Sequence, residues 1–144
     1  MRNFTPTEID LCKKIVKKER RRVDEGDWYL CDSTDVDPTV YLAGITSEEV
    51  NVVGIPLWQE HDCLEWLREE GEMGWWNLFR GENLDDIAEP ILEDSYRFEC
   101  QYIRYIDKSE KGNCKQPVID TVERMGKTPL EALLHAVLAV MEGK

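Results

Sequence analysis

The chain lacks several things, and each absence removes a class of function. No apolar run approaches the ~20 residues that a membrane-spanning helix needs. The opening Met1-Arg2-Asn3-Phe4-Thr5-Pro6 has no apolar stretch of the kind that drives secretion. A cytoplasmic protein with no membrane partner is therefore expected. The five cysteines, Cys12, Cys31, Cys63, Cys100 and Cys114, are odd in number and irregular in spacing. A disulfide scaffold favours an even count in a shorter secreted chain. Reduced thiols are the expectation, most of them serving as small core residues.

Catalytic and metal-binding patterns are missing as well. There are two histidines, and neither a CxxC nor an HxxxH spacing occurs. That removes the paired ligand sets of a zinc site. His61-Asp62-Cys63 groups three ligand types, but one helix aims them in different directions, and His135 lies beside an apolar stripe. A Ser-His-Asp or Cys-His site would need one of these two histidines, and no local motif supports it. Gly126-Lys127-Thr128 resembles the end of a phosphate loop, yet the Gly required five positions before the Gly-Lys pair is Thr121. Asp32, Asp35 and Asp37 form an acidic turn without the Gly and terminal Glu of a calcium loop. The expectation is a protein with no cofactor and no catalytic residues.

What the chain does have is charge sorted into blocks. Residues 1–23 carry eight Lys/Arg and three Asp/Glu, net +5. Residues 24–96 carry twenty Asp/Glu against only Arg68 and Arg80, net −18. Residues 97–144 are nearly balanced at +1, and the whole chain stands at −12. An acidic body repels polyanions such as DNA and anionic membrane, and speeds encounter with a basic partner.

Its length of 144 residues suits one domain, and 42% hydrophobic with 33% charged content is that of a globular protein. Thr5-Pro6-Thr7-Glu8 is a capping box with Pro at the first helical position. Ile9, Cys12, Val16 and Val23, flanked by Leu11 and Ile15, then make an apolar stripe. Lys13, Lys14, Lys17, Lys18 and Arg20 to Arg22 lie opposite it, and Gly26 is the expected stop. Residues 27–31 and 39–43 read as strands, and 49–53 as a third closed by Gly54 and Pro56. Residues 59–70 read as a helix with Cys63, Leu64 and Leu67 on one face and Gly71 as a left-handed cap. Residues 72–82 read as a Gly-punctuated loop, and 83–92 as a short helix limited by Pro90.

Alternation marks 95–107 as the clearest strand, joined through a polar loop at 108–116 to a partner at 117–123. A second Thr-Pro-x-Glu start at Thr128 opens the last helix. Its stripe of Leu130, Leu133, Leu134, Val137, Leu138 and Met141 should pack across the sheet. The order predicts a single α+β domain over 1–144. It would hold a mostly antiparallel sheet of four to five strands, with the N-terminal and C-terminal helices packed on it.

The candidate partner surface is the acidic cluster Glu69, Glu70, Glu72, Glu82, Asp85, Asp86, Glu89, Glu93 and Asp94. Trp75 and Trp76 are its candidate aromatic anchors, because buried aromatics carry much interface energy; the alternative is that they seal the end of the core. Such carboxylate density can imitate the phosphate array of a nucleic acid, or serve solubility alone. Two rival readings remain open. A metal-dependent hydrolase would use Asp32, Asp35 and Asp37, and a nucleic-acid-binding module would use the basic first helix. The apolar last helix is also compatible with a homodimer.

Ile55-Pro56-Leu57-Trp58 leading into Asp62-Cys63-Leu64-Glu65-Trp66-Leu67, and the ending Gly126-Lys127-Thr128-Pro129-Leu130-Glu131-Ala132-Leu133-Leu134 running into Ala136-Val137-Leu138, carry a resemblance. Together they resemble small acidic proteins encoded by bacteriophages and prophages. The resemblance implies a mobile-element origin and no particular activity. It includes inhibitors of host defence, which act by binding. The resulting expectation is a non-enzymatic phage-type accessory protein in the host cytoplasm. Its acidic surface would engage a basic protein, in the strongest form as a nucleic-acid mimic that blocks a defence nuclease.

Overall fold

The computed structural model describes residues 3–31, 39–42, 54–80, 95–107 and 115–143. The chain divides into two compact units, Met1–Gln59 and Glu60–Lys144.

In the first unit, helix α1 (Pro6–Lys18) begins as its capping box requires. Thr5 Oγ1 accepts from the Glu8 N–H at 3.1 Å, and Glu8 Oε1 accepts from the Thr5 N–H at 2.8 Å. That reciprocal pair explains how a Glu can be buried on the inner face beside Leu11, Cys12 and Ile15. The helix stops at Lys18 instead of running on to Gly26, because the basic residues after it find tertiary partners in an extended conformation. Arg20 donates to the Gly54 carbonyl at 2.6 Å. Arg21 lies over the Trp58 ring at 5.7 Å and 3.6 Å from the Asp27 carboxylate. The same extended stretch carries Val23 into the core.

A three-stranded antiparallel sheet follows, in the order β2-β1-β3, from β1 (Trp28–Cys31), β2 (Thr39–Leu42) and β3 (Gly54–Leu57). The strand expected at 49–53 lies outside the described residues. Gly54 and Pro56, expected to close it, sit inside β3 instead, with Pro56 opposite Tyr29. An edge strand tolerates the missing N–H of proline. Tyr29 stacks on Tyr41 across the sheet at 5.6 Å. Leu30 points the other way into a core of Leu11, Cys12, Ile15, Val23, Leu57 and Trp58. The Trp58 N–H is tied to Cys12 Sγ at 3.4 Å.

The second unit contains α2 (Glu60–Glu70), β4 (Trp76–Arg80), β5 (Tyr96–Asp107), β6 (Lys115–Gly126) and α3 (Pro129–Glu142). The α+β class stands, but the single sheet of four to five strands is replaced by two three-stranded antiparallel sheets, the second ordered β4-β5-β6. Periodicity identifies strands and not their partners, so pairing was the part least visible in the sequence. The expected loop at 72–82 contains β4, and the helix expected at 83–92 lies outside the described residues. The return strand is longer than expected, so β5 and β6 pair over twelve residues each.

Gln101 and Ile103 direct their N–H groups away from β6, to the carbonyls of Trp75 (3.0 Å) and Gly71 (2.9 Å). In an antiparallel strand, alternate residues bond to opposite neighbours. Cys100, Tyr102 and Arg104 therefore bond to β6, through Val122, Asp120 and Val118. The odd-numbered residues of β6 point their backbone groups to the outer edge. Pro117 is one of them, so its missing N–H costs the ladder nothing.

Helix α3 is held at its start by Thr128, whose Oγ1 accepts from the Glu131 N–H at 3.0 Å. Leu130, Leu133, Leu134, Val137 and Leu138 are buried as the stripe predicts, together with Ala132, Ala136 and Val140. Met141 is only half-buried. The helix packs on β5, β6 and α2, over Phe98, Cys100, Tyr102 and Val122.

Gly126 joins β6 to α3 at close quarters. A Cβ there would lie 2.6 Å from the Ala132 nitrogen. Gly126→Ala must push the start of α3 outward, at a cost of about 1–3 kcal/mol, measurable by urea denaturation. Burial pushes the Cys100 thiol up from 9.0 to about 11. A folded pKa above the unfolded one contributes stability that is complete below pH 9 and lost as pH rises toward 11. Denaturation midpoints should fall over that window by the equivalent of about 1–3 kcal/mol, and Cys100→Ala should flatten the fall.

Candidate partner-binding surface

Helix α2 delivers Glu69 and Glu70 to solvent in its last turn, and Glu72 follows just beyond it. The helix does not end on a left-handed glycine. Gly71 has an ordinary φ, and Glu72 takes the positive value, +46°. A close approach requires glycine at 71, since a Cβ there would meet the Leu67 carbonyl oxygen at 2.8 Å. That carbonyl accepts from both the Gly71 and Met73 N–H groups, at 3.0 and 3.1 Å. The chain then runs beside β5, with the Gly74 N–H bonded to the Gln101 carbonyl at 2.8 Å.

The turn sets Glu72 against the sheet. Its carboxylate accepts a hydrogen bond from the Tyr105 hydroxyl at 2.6 Å. With Glu69 and Glu70 it lines an open cavity of about 350 Å³ whose other walls are Ile103, Arg104, Tyr105 and Lys115. The hollow thus opposes three carboxylates with two cations and a phenol. Arg104 is partly engaged, its Nε lying 3.5 Å from Asp120.

Two features of this patch run against local stability. Carboxylates near a helix C-terminus face the negative end of the helix dipole, at a cost of about 0.3–1 kcal/mol each. A non-glycine residue in the left-handed region costs roughly 1–2 kcal/mol more.

The two tryptophans are both exposed but do not form one anchor. Trp76 opens β4 opposite Cys100 and turns its ring onto the buried Phe98, centroids 6.1 Å apart, with 43% of its surface in solvent. Trp75 is 47% exposed. Its carbonyl accepts from the Gln101 N–H, which continues the β4–β5 pairing by one residue. Successive side chains of a strand point to opposite faces, so Trp75 lies on the face away from Phe98. Glu82, Asp85, Asp86, Glu89, Glu93 and Asp94, and the acidic turn Asp32, Asp35 and Asp37, lie outside the described residues.

In α2, Asp62 and Cys63 are buried, whereas His61 is exposed with Nε2 3.3 Å from Asp62. His135 lies 3.9 Å from Glu131 on α3. Among the described residues no three His, Cys, Asp or Glu side chains are close enough to share a metal ion, and no helix is long and apolar enough to cross a membrane. On α1, Lys14 and Lys17 are exposed, whereas Arg20 and Arg21, in the extended stretch after it, are engaged as described above.

Sequence reasoning overlooked the open face of the β4-β5-β6 sheet. Arg97 reaches over the Phe79 ring at 5.6 Å there and pairs with Glu123 at 3.4 Å. Tyr105, Ile119 and Met125 are exposed on the same face. The signal lay in the odd positions of 117–125, where apolar and polar residues mix and no clean alternation marks a face.

Comparison of the chain with protein-family models, with curated proteins and with solved structures finds no match.

The bond to Glu72 raises the Tyr105 phenol above its ordinary pKa, assisted by slight desolvation. Glu72→Ala should lower the Tyr105 midpoint toward that of an ordinary phenol. An NMR-detected pH titration of the tyrosine rings checks this, and an unchanged Tyr105 midpoint would show that the hydrogen bond does not form in solution.

Proposed function

We propose that this protein acts by binding a basic macromolecular partner, with Glu69, Glu70 and Glu72 at the contact and Trp75 as the accessible aromatic beside it. The observation that supports the reading most is where the carboxylates sit. Glu69 and Glu70 occupy the end of α2 where the helix dipole disfavours them, and Glu72 holds a backbone conformation that glycine would adopt at lower cost. The helix dipole does not favour acids at Glu69 and Glu70, whereas a cationic partner would; Glu72 also serves the fold through its bond to the Tyr105 hydroxyl.

In its strongest form the reading is a phage-type accessory protein whose carboxylates stand in for nucleic-acid phosphates in the cleft of a defence nuclease. The acidic run 82–94 extends the same charge along the sequence. The cations Arg104 and Lys115 in the same hollow suit a partner that brings a carboxylate of its own among its basic groups.

The test is retention of a basic nucleic-acid enzyme from host lysate at low salt, compared with a triple variant Glu69→Lys, Glu70→Lys, Glu72→Lys. Wild-type retention should fall steeply with salt. The variant should bind at least about tenfold more weakly, with a flatter salt dependence. Binding that survives the reversal unchanged would sink this reading.

A further inference from the structure

From β6 we infer a second surface, independent of the acidic patch: the outer edge of β6 pairs with the same edge of a second copy of this chain. The sheet would then run through six strands about a two-fold axis at Val122.

Among the described residues, β6 is the outermost strand of its sheet. Its odd-numbered residues aim their backbone groups outward, as the bonding of β5 requires. Two of those groups are occupied by side chains from the same strand. The outward N–H of Thr121 is capped by Asp120 Oδ1 at 2.9 Å, and the outward carbonyl of Glu123 by Arg124 Nη1 at 2.7 Å. Long open edges invite pairing, and such local caps hold them in check.

Antiparallel pairing about Val122 sets Thr121 against Glu123 of the second copy, and Ile119 against Met125. In the first of these pairs the Thr121 N–H meets the Glu123 carbonyl, so the two capped groups satisfy each other. That frees Asp120 Oδ1 and the Arg124 guanidinium, which in this register face one another across the edge, while Asp120 Oδ2 stays beside Arg104 and the Tyr102 hydroxyl. An intrachain carboxylate and guanidinium thus become an intermolecular ion pair, formed twice by symmetry. Ile119 (65% exposed) and Met125 (50% exposed), both on the open face, cover each other.

Shifting the axis to residue 120 would set Asp120 against Asp120. An axis at 119 would bring Pro117, which has no outward N–H, into the ladder opposite Thr121. The Val122 register keeps Lys115 and Pro117 outside the paired stretch, where both discourage further pairing. The occupant that fits is therefore a second copy, because the edge is complementary to itself in charge, in hydrogen bonding and in its apolar residues.

Light scattering after size exclusion, from roughly 1 µM to roughly 1 mM, tests the inference together with amide exchange. The expected result is a concentration-dependent rise from 16.8 kDa toward twice that mass. The N–H groups of Ile119, Thr121, Glu123 and Met125 should exchange fast when dilute and become protected when concentrated. Ile119→Lys and Arg124→Asp, both at exposed positions, should leave the circular dichroism of the dilute protein unchanged and raise the dimer dissociation constant at least about tenfold. A monomer throughout the range overturns the inference. So does a dimer in which those four amides stay unprotected, because the contact then lies elsewhere.

Discussion

The burial of α3 on one face of β5 and β6 is the constraint from which most of the second unit follows. Eight of its fourteen residues are buried, Leu130 to Val140, and they cover Phe98, Cys100, Tyr102 and Val122. At about 1.5–3 kcal/mol for each large apolar side chain removed from water, this contact outweighs any single polar interaction in the unit. It decides which face of the sheet is inside. By the two-residue period of a strand, it also decides that Arg97, Ile103, Tyr105, Ile119 and Met125 share the face left outside.

Once that face is chosen, the turn after α2 has little freedom. The Leu67 carbonyl gathers two N–H groups, Gly71 leaves room for it, and Gly71 and Trp75 lend their carbonyls to the edge of β5. Glu72 is thereby held at positive φ with its carboxylate on Tyr105. The acidic patch is thus not a loose surface. Its position is dictated by backbone bonds to the central strand of the sheet.

Helix starts were the most legible part of this fold in the sequence. Both Thr-Pro-x-Glu segments cap helices through the threonine hydroxyl, because capping depends on residues three apart and on nothing distant. The β5–β6 pair and the apolar face of α3 were legible for the same reason: alternation and helical spacing are local. What escaped notice depends on distant partners. The end of α1 is set by where Arg20 and Arg21 find Gly54 and Trp58. Strand β4 is too short and too Gly-flanked to stand out until β5 pairs with it. Gly71 and Glu72 exchange the roles expected of them because a carbonyl four residues back occupies the space a Cβ would need. Of the candidate surface, the sequence indicated the carboxylates but not their geometry, and it grouped two tryptophans that the strand period separates.

The charge blocks have different physical standing in the two units. In the first, part of the basic run is spent within the unit, on a carbonyl, an aromatic ring and Asp27. Those cations keep their charge, but the contacts fix where it is presented. In the second, the carboxylates at the end of α2 oppose the helix dipole and share the lining of an open hollow with Arg104 and Lys115. Screening by salt over ~8 Å weakens such opposition without removing it at these short distances. At the end of α2 the helix dipole therefore opposes the side chains that the turn presents, and the bond from Tyr105 to Glu72 is one interaction that offsets it.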